Sequence, residues 1–366
     1  MSTLAFTPAR VVASDYMNFA KLNTAARFNC SSSGAAERTL ADIAPDAADL
    51  VLHGDNAYGW PPLAETIAAR FGVDPACVVL PGGGASFANH LALAAMVSPG
   101  DEVLIEDPAY ELLSATLSYL QARVRTFPRD LETDWRLDAE VVAARITPAT
   151  RLAVATNLHN PSGALAGEAE VAALAARAGG ARLLIDEVYL ELTFADGEAS
   201  TAFREDGDIV VTSSLTKAYG LSGLRCGWIL ARRPLAERMR RLNDLFGVTA
   251  PHVTERLAQV AFGRLDFLRA RARATMDANR SAYREILGDH PALDQIVFDH
   301  ATVVFPRLRR GDGDGFARRL AERFDVSVVP GRFFGRPDHV RIGLGGDPAT
   351  TREGLTRIAE ALSQLN

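Results

Sequence analysis

Lysine is nearly missing from this chain. Of 39 basic residues only Lys21 and Lys217 are lysines, and the other 37 are arginines. Arginine serves wherever a fixed cation is enough, but its guanidinium does not deprotonate in proteins and cannot act as an amine nucleophile. A lysine kept against that background is a candidate for chemistry closed to arginine, Schiff-base formation with an aldehyde above all. Cysteine is scarce as well. Cys30, Cys77 and Cys226 are too few and too scattered for a disulfide framework or a zinc site, so no metal is expected, and they suit a reducing cytoplasm. Positive charge is not in excess: the net charge is −6, which recommends neither nucleic acid nor anionic membrane as a partner. Long apolar runs are absent too. The longest, Leu91 to Val97, is far short of the roughly 20 residues a membrane span needs. Met1 to Val12 has no apolar core of signal-peptide length. A soluble, cytoplasmic protein is expected, and no internal repeat or low-complexity tract interrupts it.

With 366 residues and 48% hydrophobic content, the chain can bury a large core and is expected to form two domains. Between Val78 and Ala231 strand patterns alternate with helical ones, which predicts a mostly parallel sheet covered on both faces. The candidate residues follow strands or start helices, where open α/β sheets bind ligands. A β-branched strand, Asp208 to Thr212, runs into Ser213-Ser214-Leu215-Thr216-Lys217, and Gly220 and Gly223 then allow a tight turn before Arg225. An isolated loop lysine is usually a surface residue. Ser214 three positions before Lys217 and Arg225 eight after it favour a binding segment instead.

Other segments have the same form. Val78-Val79-Leu80 leads into Pro81-Gly82-Gly83-Gly84-Ala85-Ser86 and a helix from about Phe87 to Val97. A strand, a glycine turn and a helix N-terminus make an anion site, although a glycine cluster alone reads equally as a tight turn. It is not a P-loop, which needs G-K-[ST], nor a dinucleotide fingerprint, which needs glycine where Phe87 stands. Strand Glu102–Glu106 ends in Asp107-Pro108-Ala109-Tyr110, and Tyr110 on its own could be a partly buried loop tyrosine. Strand Arg151–Thr156 runs into the turn Asn157-Leu158-His159-Asn160-Pro161-Ser162-Gly163. There Asn160–Pro161 is a candidate cis bond, and His159 reads as a supporting or surface residue. In Arg182-Leu183-Leu184-Ile185-Asp186-Glu187-Val188-Tyr189 an acid closes a buried strand, where burial is costly without a partner; a helix cap is the competing reading. His339-Val340-Arg341-Ile342 is a strand with an inward arginine, suited to bidentate capture of a carboxylate or to an interdomain salt bridge. Pro234 to Leu287 reads as Arg-rich helices broken near Gly247–Pro251, with solvated faces at Arg238-Met239-Arg240-Arg241.

Taken together and in this order, S-x-x-K with Arg eight residues on, N-P-S-G, D-E-V-Y and the late Arg341 resemble the class I/II aminotransferases, fold-type I enzymes that use pyridoxal 5′-phosphate (PLP). The matching motifs extend from about Tyr58 to Gly346. The resemblance implies a seven-stranded, mostly parallel α/β sheet flanked by helices, with a smaller α+β domain. Residues 1–45 would belong to the small domain and gate the active site, 46–245 would form the large PLP-binding domain, and 246–366 the small domain. It implies Lys217 as the Schiff-base lysine. Gly84, Ala85, Ser86, Ser214 and Arg225 would hold the cofactor phosphate, Tyr110 would stack on its ring, Asn160 and Tyr189 would face its O3′, and Asp186 its pyridine nitrogen. Arg341 and Asn160 would hold the substrate carboxylate, with backbone near Gly34. The family commonly has tyrosine at the position of Gly54, reaching the phosphate of the neighbouring subunit; Tyr58 or Asn56 would substitute. The implied activity is transfer of an amino group between an L-amino acid and a 2-oxo acid in a homodimer. A carbon–sulfur β-lyase, a decarboxylase, an amino-acid cyclase and a non-catalytic PLP-binding module are the alternatives, since they would share these motifs.

Overall fold

The computed structural model describes residues 13–22 and 25–364; the expectation about Met1 to Val12 lies outside them. Seven strands form the main sheet: β1 (Val78–Val79), β2 (Glu102–Asp107), β3 (Arg123–Pro128), β4 (Thr150–Thr156), β5 (Arg182–Asp186), β6 (Ile209–Ser214) and β7 (Gly227–Leu230). Their order is β1-β7-β6-β5-β4-β2-β3. All run parallel except β7, which is antiparallel to both its neighbours, so the expected mostly parallel sheet is present.

Period-two alternation sorts these strands onto two buried faces. Val103, Ile105, Leu152, Val154, Leu184 and Val210 pack under helices α3 (Gly84–Met96), α4 (Glu111–Tyr119) and α6 (Arg233–Asn243). Leu104, Ala153, Ala155, Leu183, Ile185 and Val211 face the other way, onto α2 (Pro61–Phe71), α5 (Glu168–Arg177), α7 (His252–Phe262) and the first half of α8 (Leu265–Leu287). The Arg238–Arg241 stretch does not form one solvated face: Met239 is buried in this core, and Arg240 donates to the carbonyls of Ala76 and Val78.

A second core gathers around β8 (Val303–Val304), β9 (Val329–Pro330) and β10 (Val340–Gly343), an antiparallel sheet in the order β8-β10-β9. Helices α9 (Gly313–Phe324) and α10 (Pro348–Ser363) cover it through Leu320, Leu355 and Ile358. Phe28 and Cys30 belong to this core, and Phe28–Asn29 pairs parallel with Val326–Ser327. Helix α8 serves both cores: Leu268, Ala272 and Met276 pack on the main sheet, Ala282, Tyr283 and Leu287 on the smaller one. Helix α7 is fixed to the main core by Leu257, Ala258 and Ala261.

The stretch after Phe28 is threaded between the two cores. Gly343 N–H donates to Cys30 O at 2.7 Å, and Ala35 N–H donates to Lys217 O at 2.8 Å. A Cβ at Gly343 would lie 1.8 Å from Ser32 O, so glycine is what permits this approach. The expected cis bond at Asn160–Pro161 is not found; cis bonds occur at Asp107–Pro108 and Asn157–Leu158. Chain reversal after Asn160 comes instead from Gly163, at φ +81°, whose N–H closes the turn on His159 O at 2.7 Å. Among the described residues no helix is long and apolar enough to cross a membrane, and no three His, Cys, Asp or Glu side chains are grouped as metal ligands would be.

Candidate active site

Strands β4 and β5 end level with one another, Thr156 pairing with Asp186, and β6 runs two residues past the Asp186–Thr212 pair to Ser214. Beyond those ends lies a cavity of about 570 Å³. It is roofed by the threaded N-terminal stretch and by α1 (Asp15–Leu22), and bounded by the start of α3. Ala85, Ser86, Tyr110, Asn160, Asp186, Tyr189, Ser214, Lys217 and Arg225 all line it. Gly34 lies against Lys217, Gly84 against Arg225, and Arg341 is bonded to Asn160 and Tyr16, so each adjoins the lining.

Lys217 is partly buried and opens onto the cavity. Burial lowers its pKa, and Arg341 and Arg225 add to the effect against Tyr16 and Glu37. A lowered pKa enlarges the neutral, nucleophilic fraction of the amine. Gly34 lies against this side chain, since a Cβ there would sit 2.8 Å from Lys217 Cδ.

Asp186 is 2% exposed. Its Oδ2 accepts from Asn89 Nδ2 at 2.7 Å and its Oδ1 from the Val188 N–H at 3.1 Å, while Thr212 Oγ1 donates to Asn89 Oδ1 at 2.5 Å. Burial raises its pKa to about 6 against the lowering effects of Asn89, Val188 N–H and Lys217. No cation pairs with it among the described residues, and a buried carboxylate of this kind calls for a positive partner. Tyr189 donates its hydroxyl to Ser33 Oγ at 2.8 Å, and burial pushes its pKa up.

At the opposite end, Gly83 and Gly84 take φ of +68° and +71° as the chain enters α3. Gly84 N–H is already bonded to Arg225 O at 2.7 Å. Its expected contribution of a free amide is therefore corrected: Ala85 and Ser86, in the first turn, carry the unpaired amides. Glycine is still needed at 84, since a Cβ would lie 2.9 Å from Arg225 Nη2. Arg225 donates to Gly83 O at 2.6 Å, and Ser214 Oγ accepts from Thr216 N–H at 3.2 Å, which leaves the serine proton free to donate.

Arg341 is fully buried, yet it has no carboxylate partner among the described ion pairs. Its donors go to Asn160 Oδ1 at 2.9 Å, Tyr16 Oη at 2.9 Å and Ser31 O at 3.0 Å, and its Nε has none. The salt-bridge reading of this residue is thereby removed. Asn160 is held from below, its N–H donating to Thr156 Oγ1 at 3.0 Å. Thr156 donates to Glu106 through its N–H at 2.9 Å and its hydroxyl at 2.6 Å, and Glu106 pairs with Arg129 at 2.8 Å, both side chains inaccessible. His159 is buried too, bonded to Ser162 Oγ at 2.7 Å and Pro108 O at 2.9 Å; burial and Arg129 lower its pKa and keep it neutral.

Tyr58 is not part of the cavity in its own chain. It is 45% exposed and bonded to Arg241. Asn56 is unavailable, its amide donating to Ala250 O at 2.8 Å and Glu255 at 2.7 Å. At Gly54 a side chain is excluded, since a Cβ would meet His252 Nε2 at 2.4 Å. Sequence reasoning missed Tyr16, Ser33, Asn89 and Thr156. Asn89 follows Ser86 by three residues, one turn along the same helix face, a readable signal; Tyr16 had none.

The profile of the family "Aminotransferase class I and II" matches residues 21–358. This chain belongs to that family. It is a PLP-dependent aminotransferase, and two curated relatives are similar to it at nearly equal identity. It is 33% identical to the arginine–pyruvate transaminase of Pseudomonas aeruginosa over 89% of this chain and 88% of the relative. It is 32% identical to the capreomycidine synthase of Streptomyces vinaceus over 92% and 90%. Among solved structures, a PLP-dependent cyclase superposes with a TM-score of 0.88 at 26% identity, covering 98% of this chain and 99% of that one. An aminotransferase of Streptococcus suis superposes at 0.87, with 23% identity and coverage of 96% and 97%, and shares the fold. The donor set of this aminotransferase fits its cofactor: a buried carboxylate without a cation, a lysine of lowered pKa, and free first-turn amides flanked by Arg225 and Ser214.

Proposed function

We propose that this aminotransferase takes its amino group from an L-amino acid whose side chain carries no negative charge and passes it to a 2-oxo acid, with Lys217 as the cofactor's attachment point. The observation that supports this most is Arg341. A buried guanidinium with a vacant Nε and no carboxylate, 2.9 Å from Asn160 and behind the Lys217 cavity, matches a substrate α-carboxylate in charge and shape. Among the described residues the cations on the lining are Lys217 and Arg225, both allotted to the cofactor, and besides Asp186 the carboxylate there is Glu37, which accepts from Ser222 Oγ at 2.6 Å. An acidic side chain would find no counter-charge there among the described residues of one chain.

In this reading Asp186 meets the pyridine nitrogen, and Asn89 and Val188 N–H keep its carboxylate oriented and ionised. Ala85 and Ser86 amides, Ser214 and Arg225 hold the phosphate. Tyr110 flanks the ring, and Asn160 and Tyr189 stand on its O3′ side. When bound, PLP supplies the electron sink that makes the substrate Cα–H acidic. The Lys217 amine, its pKa lowered by burial, would be the group that takes that proton. Helix α1 and the threaded stretch after Phe28 close the cavity over these groups, and the backbone near Gly34 would be offered to the substrate.

We further propose a cytoplasmic homodimer. Tyr58, Leu245, Phe246 and Val248 are exposed, and Tyr58 and Val248 share one surface cleft; an apolar patch of this kind suits a second copy, with Tyr58 then offered to the partner's phosphate site. The test of function is a panel of L-amino acids incubated with the holoenzyme, with and without a 2-oxo acid acceptor. Multiple turnovers only with acceptor are expected, uncharged and basic donors being preferred to Asp and Glu. Turnover without acceptor would favour cyclisation or elimination, and the capreomycidine synthase relative at nearly equal identity makes the comparison necessary.

A further inference from the structure

Tyr16 is contributed by α1 and belongs to none of the motifs, yet it lines the cavity. The residue is 7% exposed, and its ring is held edge-on by Tyr110 and Phe333, at centroid distances of 5.8 and 5.7 Å, with Phe334 at 5.9 Å. Its hydroxyl oxygen accepts from Arg341 Nη2 at 2.9 Å. A phenol that accepts still has one proton to give, and no protein acceptor takes it among the described bonds. The packing fixes the ring, so the hydroxyl stands beside the Arg341 guanidinium, whose other nitrogen donates to Asn160.

We propose that Tyr16 is a substrate-binding residue, its hydroxyl donating to the α-carboxylate seated on Arg341 while accepting from that same guanidinium. The inference rests on Arg341 being the carboxylate seat. The electrostatics agree: burial would raise the phenol, but Arg341 and Lys217 outweigh it and hold its pKa below the usual value, which makes it a stronger donor. Because Tyr16 sits on α1, the seat is complete only when that helix lies over the cavity. An amine without a carboxylate gains nothing from this hydroxyl.

The test uses the holoenzyme, the best donor of the amino-acid panel, and the decarboxylated amine of that donor. Tyr16→Phe keeps the ring and its aromatic contacts and removes only the hydroxyl. KM for the amino acid is expected to rise about tenfold, as for loss of a bond to a charged group. The change in kcat should stay within about threefold, and the amine's dissociation constant, from calorimetry, within about twofold. Arg341→Gln serves as the reference and should raise KM by more. An unchanged KM in Tyr16→Phe alongside a raised KM in Arg341→Gln would overturn the role of Tyr16 alone. An equal loss for acid and amine would overturn it too, since the hydroxyl would then act elsewhere. No KM change in Arg341→Gln would overturn the seat itself.

Discussion

Replacing Asn89 with Leu should make cofactor binding fail at a higher pH. Asn89 donates to Asp186 Oδ2 at 2.7 Å and is itself anchored by Thr212. Asp186 sits near pKa 6 because burial raises it and Asn89, Val188 N–H and Lys217 hold it down. A hydrogen bond to a buried charged group is worth about 1.5–3 kcal/mol, and about 1.4 kcal/mol is one pH unit. Removing the Asn89 amide should therefore lift Asp186 to about 7–8. Only the carboxylate form can pair with a pyridinium, so affinity is lost as pH falls through the Asp186 pKa. At pH 7 the native residue is about nine-tenths ionised and the variant about half or less. The assay is titration of the apo-protein with PLP between pH 5.5 and 8.5, followed by visible absorbance, with thermal melts to establish that the variant is folded. The acid limb of the affinity profile should move up by about one to two units. Limbs that coincide would refute the reasoning that Asn89 keeps Asp186 ionised.

Arg129→Met leaves Glu106 buried without its cation, and calorimetry should find the fold weaker by about 3–5 kcal/mol. KM should rise as well, because Glu106 holds Thr156 and Thr156 holds Asn160. Gly34→Ala forces a Cβ to within 2.8 Å of Lys217 Cδ and 3.1 Å of its Cα; turnover should fall by about ten- to a hundredfold, measured beside an unchanged melting temperature. In the apo-protein Asp186 and Glu187 are raised to about 6 and about 7 by burial. Carboxyls raised in the folded state stabilise it fully below about pH 4 and lose that contribution as pH rises through their folded values. Apo-protein melting temperature should accordingly fall by a few degrees between pH 5 and 8, and Glu187→Gln should flatten the upper part of that fall.

Much of the site could be read from the sequence because its parts are local. A buried strand, a glycine or N-P-S-G turn and a polar residue at the strand end are each written in a few consecutive residues, and they delivered Lys217, Asp186, Asn160 and Arg225 to one cavity. What escaped depends on contacts between distant segments. Gly54 holds no side chain because His252 occupies the space, and nothing near residue 54 says so. Gly84 loses its free amide to Arg225 O, a bond across the sheet edge. Helix α8 carries one amphipathic pattern while its two halves face different cores, a division that only the packing reveals. Tyr16 acquires its meaning from Arg341, 325 positions later.

Having just two lysines gives the central claim an unusually clean test. Lys21 is exposed on α1 and Lys217 faces the cavity. Borohydride reduction of the PLP-loaded protein, followed by peptide mass spectrometry, should find the pyridoxyl group on the Lys217 peptide at near-unit stoichiometry. Label on Lys21, or on neither lysine, would contradict the account.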